Sequence, residues 1–290
     1  MFAAARIPTI GSISRNALVS SPSRAVGTFK AFPSVGFPFD VVFWGDQFFM
    51  QKLAKVKNVN RTYWGMNSVM ALRPLLASKV AQCIADWTEI EVSLGIFLAL
   101  LLHANEEAVL AMYGGLENRS AQLRMIESAA QSTLKGEHLD VVSVLMANEI
   151  RAAMKYRDKL AHWCWGYSDE LPEALLIRKP SYQLASFAEA VRKQGKKEPH
   201  DVPLNHDTVF VVREADLDSF LKRLHYTREH LRLAMGGVWT ANTDQERAEY
   251  LQQLSNMPEV RSGLAHLEES RQKAEATPQP SPPPDRSGEE

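Results

Sequence analysis

Apolar residues recur at three- and four-residue steps through the first half of the chain, which is the spacing of an amphipathic α-helix. The first helix is predicted to begin at Pro74, a residue favoured in the first helical turn, and to run for about 25 residues. Its apolar positions include Val80, Ile84, Trp87, Ile90, Leu94 and Leu101. The pattern predicts a long helix with one buried face.

Three further helices are predicted before residue 164. Asn105 is a favourable N-cap for a short helix that Gly114 and Gly115 end. A third helix covers residues 116–134, and a fourth extends from just after Gly136 to about Trp163.

The next fifty residues differ in composition, because prolines and a glycine separate two short runs of β-favouring residues. These runs are Ala174–Ile177 and Thr208–Val212. We expect them to pair as a two-stranded ribbon closed by a long loop insertion.

Helical spacing returns from Asp216 to Met235, with Gly236 and Gly237 as the predicted stop. A polar-rich helix over residues 243–256 and a weaker helical stretch to Lys273 follow. The chain is therefore predicted to be mainly all-α, an antiparallel helical bundle with a small two-stranded β element in its C-terminal half.

This division predicts a helical domain over residues 71–240 and peripheral helices over 241–274. The proline-rich residues 275–290 are predicted to be a disordered tail. Residues 1–70 are treated as an N-terminal extension outside the fold. Their first 39 residues carry four basic side chains, six serines and no acid, as in a transit peptide. A poorly ordered tail or an upstream translation start explains the same composition.

Composition narrows the functional classes. The 290 residues are 45% apolar, which is enough for a sizeable core. Because 33 basic and 34 acidic residues nearly cancel, any contact with RNA must be local. The most apolar run, Val92–Leu102, is too short to cross a bilayer. Cys83 and Cys164 form no disulfide framework, so we expect a cytoplasmic protein without a membrane partner.

Candidate chemistry is concentrated at the end of the fourth predicted helix, in Tyr156–Trp163. Arg157, Asp158 and His162 combine a permanent cation, a carboxylate and an imidazole. On an ideal helix Arg157 and His162 differ by about 140°, whereas Asp158 and His162 share a face. We expect Asp158 to orient the imidazole. Arg157 points to a different side of the helix, so it would contact the same substrate phosphate as His162 only if a partner helix or a frayed last turn completes the site.

RNA cleavage without a metal needs a base for the 2′-hydroxyl, an acid for the leaving 5′-oxygen and a cation for the phosphorane. One copy of this segment supplies one histidine. A two-fold dimer would bring two imidazoles and two guanidiniums into one cleft.

The segment resembles the Arg-polar-x-x-x-His signature of the HEPN superfamily, and the resemblance covers roughly residues 74–167. It implies an all-α, dimeric, metal-independent endoribonuclease, in some relatives active in stress or phage defence; many other relatives have no known activity. Carried over, Arg157 binds the phosphate, Asp158 takes the polar position and His162 acts as general acid or base. Many related sequences have asparagine beside the arginine, and the charge of Asp158 weakens anion binding.

The alternative reading is a non-catalytic interaction module of the same fold, in which these side chains join helices. A third reading, a helical protein of the cell envelope or an organelle, rests only on the N-terminal composition. Predicted partners are a second copy, single-stranded RNA and a cognate regulatory protein.

Other residues are assigned supporting roles. Glu91 falls in the apolar stripe of the first helix, so a cation is expected beside it, either Arg157 or Arg151. Such a pair would either pre-organise the arginine or only fix helix register. Glu149 is a weaker candidate for the same role, and Tyr156 is either part of the site or an ordinary packing aromatic.

The strongest basic cluster of the chain consists of Arg192, Lys193, Lys196 and Lys197. It is either a solvated loop or a weak RNA contact. The remaining histidines lack the spacing of a metal site, and no nucleotide-binding motif occurs, so neither metal nor cofactor is predicted.

Overall fold

The computed structural model describes residues 50–64, 69–193, 205–239 and 242–276. Helix α1, Pro74–Leu102, is the longest helix of this part of the chain, and proline occupies its first turn as predicted. It ends at His103, whose φ of 49° is left-handed and breaks the helical hydrogen-bond series.

The next two helices each begin with an asparagine side-chain cap, and the first of these caps was predicted. Helix α2, Glu106–Gly114, is capped by Asn105, whose side chain accepts a hydrogen bond from the Ala108 amide. Helix α3, Arg119–Thr133, is capped in the same way by Asn118. Asparagine satisfies a first-turn amide that has no partner within the helix.

The fourth predicted helix is one continuous helical segment with an irregularity. It consists of α4, Glu137–Val144, a π-helical turn, Leu145–Ile150, and α5, Arg151–His162. A π-helical turn contains one more residue per hydrogen-bonded turn than an α-helix. The spacing of apolar residues in the sequence did not predict it.

The β element is larger than predicted. Five strands form an antiparallel sheet in the order β1-β5-β4-β3-β2. They are β1, Gln51–Lys52; β2, Tyr63–Trp64; β3, Cys164–Tyr167; β4, Ala174–Arg178; and β5, Val209–Arg213. The predicted pairing of the two apolar runs is confirmed, with Leu176 opposite Val211.

The prediction that residues 1–70 lie outside the fold is wrong for residues 50–64. They supply both outer strands, and Met50, Leu53 and Val59 are buried. These strands pair with chain segments more than a hundred residues away, so no local pattern marks them.

The insertion between β4 and β5 was predicted as a loop, and its described part is instead helix α6, Pro180–Lys193. Proline at its first position favours this start. The helix is mostly exposed, with its larger apolar side chains facing outward.

The C-terminal helices are α7, Glu214–Val238, α8, Asp244–Ser255, and α9, Pro258–Ala276. Gly236 and Gly237 do not stop α7, contrary to prediction, because they serve close packing instead. A Cβ at Gly237 would lie 2.4 Å from Cγ of Leu251, and one at Gly236 would lie 2.7 Å from the Tyr250 ring.

The main core lies between the helices and one face of the sheet. It includes Trp87 and Phe97 of α1, Phe220 of α7, and the inward residues Leu175 and Ile177 of β4. A smaller cluster covers the other face with Leu53, Val59, Leu171, Leu176, Val209 and Val211. The alternation along β4 follows the period of two of a strand.

The bundle is only partly antiparallel. Ion pairs Lys79–Asp218 and Glu89–Arg228 join α1 to α7 at matching ten-residue steps, so these two helices run in the same direction. The expected antiparallel packing is therefore wrong for α1 and α7. The sheet insertion separates these two helices in the chain, so no short connection forces them to run in opposite directions. Within the described ranges no helix is both long and apolar enough to cross a membrane.

Candidate functional site

Arg157 and His162 meet at the C-terminal end of α5. Nη1 of Arg157 lies 3.3 Å from Nε2 of His162 and 3.2 Å from Oδ1 of Asp158. Arg157 is buried, Asp158 is half-buried and His162 is exposed. The expectation that a partner helix or fraying is needed to join Arg157 to His162 is wrong, because the long arginine side chain spans the angle between the two positions.

This contact fixes the roles of the imidazole nitrogens. A guanidinium carries only donors, so a hydrogen bond between these atoms requires the tautomer in which Nε2 of His162 accepts and Nδ1 carries the proton. The Nε of Arg157 is buried and has no hydrogen-bond partner within the described residues. This unpaired donor is shielded from solvent, and His162 is the exposed member of the pair.

Asp158 does not orient the imidazole, contrary to the prediction from helical spacing. Its Oδ1 faces Arg157 and lies 3.7 Å from Nη1 of Arg119. No hydrogen bond joins Asp158 to His162 in the described part of the chain. The carboxylate is held between two guanidiniums, which attract it more strongly than a neutral ring.

Arg119 is the site residue that sequence reasoning missed. It occupies the first position of α3, pairs through Nε with Glu91 of α1, and extends Nη1 toward Asp158 of α5. A chain of alternating charges, Glu91–Arg119–Asp158–Arg157, thus connects three helices. The available signal was a cation in the first turn of a helix, where the macrodipole disfavours it unless an acid lies nearby.

Glu91 is half-buried rather than in the core stripe, and neither predicted partner is correct. Its partner is Arg119, whereas Arg151 forms a two-oxygen contact with Glu127 at 2.6 and 2.7 Å. Spacing within one helix could not distinguish these arginines, because each choice depends on how α3 packs.

In the described part of the chain Glu149 forms no hydrogen bond or ion pair with Arg157, Asp158 or His162. It lies in the π-helical turn, is fully buried, and both its carboxylate oxygens are 2.9 Å from Nδ1 of His230 on α7. The pair joins the irregular turn to the neighbouring helix. A buried carboxylate requires such a partner.

Tyr156 belongs to the core. Its ring packs on Phe220 with centroids 4.2 Å apart, and burial raises the pKa of its hydroxyl above the ordinary value. Placed on the opposite side of α5 from the exposed edge, it positions the helix and not the reacting groups.

Lys159 adds a further cation near the signature. Its Nζ lies 5.6 Å from the centre of the Trp163 ring and 5.7 Å from that of Phe210. Burial, and secondarily the charge of Lys155, lowers the pKa of Lys159.

The predicted basic cluster is only partly described. Arg192 is exposed in the last turn of α6, and the backbone of Lys193 ends that helix. Lys196 and Lys197 lie outside the described residues. Arg192 and Lys193 belong to a different helix from the end of α5.

A groove of about 470 Å³ adjoins the other end of the charge chain. It lies between α1, α2 and α3, and Glu91 and Arg119 form part of its wall. Its apolar wall consists of Val92, Leu110, Tyr113 and Leu116. In the described ranges no three His, Cys, Asp or Glu residues are grouped to hold a metal.

A comparison of the chain with protein-family models, curated proteins and solved structures found no match.

Proposed function

We propose that this protein is a HEPN-like, metal-independent endoribonuclease that acts as a dimer on single-stranded RNA. The observation that carries the proposal is the 3.3 Å approach of Nη1 of Arg157 to Nε2 of His162 at an accessible edge. A fixed cation beside a titratable ring is the minimum that phosphodiester transfer needs from one subunit.

In this mechanism the guanidinium of Arg157 binds a non-bridging phosphate oxygen, and one imidazole takes the 2′-hydroxyl proton. The bond from O2′ to phosphorus forms as the bond from phosphorus to O5′ breaks. The second imidazole, from the partner's copy of the site, gives a proton to O5′. The products are a 2′,3′-cyclic phosphate and a free 5′-hydroxyl.

Binding of the phosphate requires a rearrangement within the site. In the free protein Nη1 of Arg157 is shared between Asp158 and His162. A phosphate oxygen replaces the ring nitrogen as acceptor, which frees Nε2 of His162 for proton transfer. Nη1 of Arg119 lies 3.7 Å from the same Oδ1 of Asp158, so its charge offsets part of the attraction of this carboxylate for Arg157 and favours the exchange.

The proposal includes a cytoplasmic location, a role in stress or phage defence, and control by a cognate protein. These parts derive from the resemblance and the low cysteine content, and the near-neutral charge makes RNA contact local.

A second function is favoured by a specific observation. The chain Glu91–Arg119–Asp158–Arg157 links α1, α3 and α5, which is the arrangement of a non-catalytic module whose charges hold helices together. If the protein is such a module, substitutions at these positions change its stability, and neither the wild type nor the variants cleave RNA.

The test is cleavage of single-stranded RNA by the full chain in EDTA, with the ends of the products identified. We expect 2′,3′-cyclic phosphate ends, and we expect His162→Ala to abolish cleavage. His138→Ala is the matched control, because His138 is an exposed histidine in the first turn of α4. Wild-type protein that cleaves no RNA, or His162→Ala that cleaves normally, contradicts the proposal.

A further inference from the structure

Helix α6 turns polar residues toward the body of the protein and its large apolar residues toward solvent. This is the reverse of the usual arrangement in a surface helix. The residues turned toward the body are Gln183, Ser186 and Glu189, and Ser186 accepts a 2.7 Å hydrogen bond from Arg178. The outward side chains are Tyr182, Leu184, Phe187 and Val191, exposed by 47, 69, 66 and 51%. Such an exposed apolar face marks an interaction site.

The spacing of the outward residues identifies the kind of contact. Leu184, Phe187 and Val191 lie at positions i, i+3 and i+7, the anchors of a helix that binds in an apolar groove. Their stripe is bounded by cations, with Lys179 just before the helix and Arg192 in its last turn. In the described part of the chain neither cation forms an ion pair.

The charge of this segment decides against a contact between two α6 helices. Helix α6 and the residue before it carry three cations, Lys179, Arg192 and Lys193, and one acid, Glu189. Two such helices packed together would set like charges against each other, which disfavours the pair. The complementary surface must be apolar and acidic.

The chain itself carries a surface of that description, the groove between α1, α2 and α3. Val92 and Leu110 are exposed in its wall by 56 and 37%, and Glu117 lies at its edge without an ion pair among the described residues. Glu106 and Glu107 precede Leu110 by about one turn of α2. The groove is thus apolar at its centre and acidic at its margin.

We propose that α6 of one copy binds in the α1–α2–α3 groove of a second copy. Leu184, Phe187 and Val191 occupy the apolar wall, and Arg192 lies opposite Glu117. One contact covers both unpartnered surfaces, and where it is reciprocal it closes a two-fold dimer. The inference deepens the proposed function, since it names the interface of the dimer on which that function rests.

The interface also connects to the signature through Arg119. Glu91 and Arg119 line the groove, and Arg119 reaches Asp158 beside Arg157. A second copy bound in the groove therefore lies against the outer end of the charge chain.

The test is sedimentation of the full chain over a range of concentrations, with no RNA present. We expect the wild type to self-associate, and we expect Phe187→Ser to weaken association by about tenfold or more, as for a central apolar anchor. Met112→Ser is the control, because Met112 is an exposed apolar residue of α2 outside the groove. All these side chains are exposed, so the variants should fold, which circular dichroism checks.

Charge reversal gives the sharper result. Arg192→Glu and Glu117→Arg are each expected to weaken association, and the double variant is expected to restore it, because the pair is then reversed and complementary. Arg124→Glu, an exposed arginine of α3 outside the groove, should have no effect.

A wild type that remains monomeric, or a double variant that fails to recover, overturns the inference. It is also overturned if Phe187→Ser leaves association unchanged but abolishes binding to vesicles containing phosphatidylserine, since α6 is then a lipid-binding helix. Sedimentation does not depend on catalysis, so inactive protein that still associates contradicts the proposed function alone.

Discussion

Nη1 of Arg157 lies 3.3 Å from Nε2 of His162, although the two residues are five positions apart on one helix. The guanidinium reaches the ring because the arginine side chain is long and its stem is buried against the bundle. One chain therefore presents a cation and an imidazole together. In the proposed mechanism a dimer is needed only to supply the second imidazole.

Arg119 should act through Asp158 and not on the phosphate. We expect Arg119→Met to raise KM for RNA by less than about tenfold and to leave kcat nearly unchanged, because partly exposed ion pairs contribute about 0–1 kcal/mol. Without Arg119 the carboxylate of Asp158 competes more strongly for Arg157.

The conservative variant Arg119→Lys is expected to recover most of the affinity. Steady-state kinetics on the three proteins checks this prediction. A large loss of kcat with unchanged KM would mean that Arg119 itself contacts the reacting phosphate.

The Glu149–His230 pair should be a major stabilising contact. Replacing His230 by leucine leaves a buried carboxylate without its partner, and we expect this to lower the free energy of unfolding by about 3–5 kcal/mol. The double replacement Glu149→Leu/His230→Leu should cost less than the sum of the single replacements. Urea denaturation measures all three; additive losses would indicate that the two side chains do not interact.

Gly237 should tolerate no side chain. A Cβ there would lie 2.4 Å from Cγ of Leu251, so we expect Gly237→Ala to displace α8 and to cost about 1–3 kcal/mol. Gly114→Ala is the matched control, because a Cβ at Gly114 meets nothing within 4 Å. Thermal denaturation of both variants checks the prediction, and equal melting temperatures would refute the close packing of α7 on α8.

Cys83 should be unreactive in the native protein. Burial raises the pKa of its thiol from 9.0 to about 12, whereas Cys164 is only half-buried. We expect a thiol reagent at mildly alkaline pH to modify Cys164 first and Cys83 only after unfolding. Mass spectrometry of the modified chain identifies the site, and rapid native modification of Cys83 would contradict its burial.

The raised pKa of Cys83 also makes the free energy of unfolding depend on pH. Between pH 9.0 and about 12 the native Cys83 keeps a proton that the unfolded chain loses, so the native state binds more protons. This contribution to the free energy of unfolding is therefore lost as pH rises through that window. Denaturation of the wild type and Cys83→Ala across the window should show a smaller dependence on pH in the variant.

Short-range sequence signals predicted the helices and strands whose conformation depends mainly on residues close together in the chain. Pro74 and Asn105 mark helix starts, and the apolar runs of β4 and β5 pair as expected, because capping, backbone restriction and strand propensity act over a few residues. The two-residue strands β1 and β2 are too short to carry a periodic signal. They form because distant strands offer free edges.

The candidate site divides in the same way. The signature Arg157, Asp158 and His162 was visible in one segment, but Arg119 was not, because its role depends on the start of α3 lying near the end of α5. Glu91 was expected to lie beside an arginine and does so, whereas Glu149 was expected to support Arg157 and instead pairs with His230. The partners themselves are set by tertiary packing.

In the proposed mechanism Arg157 and His162 act on one phosphate as a unit. The most direct measurement is the RNA cleavage rate, in EDTA, of Arg157→Lys, His162→Ala and the double variant. Groups that act together lose their contribution with either substitution, so we predict that the double variant is no slower than the slower single variant. Losses that multiply in the double variant, or cleavage that survives both substitutions, would contradict the claim.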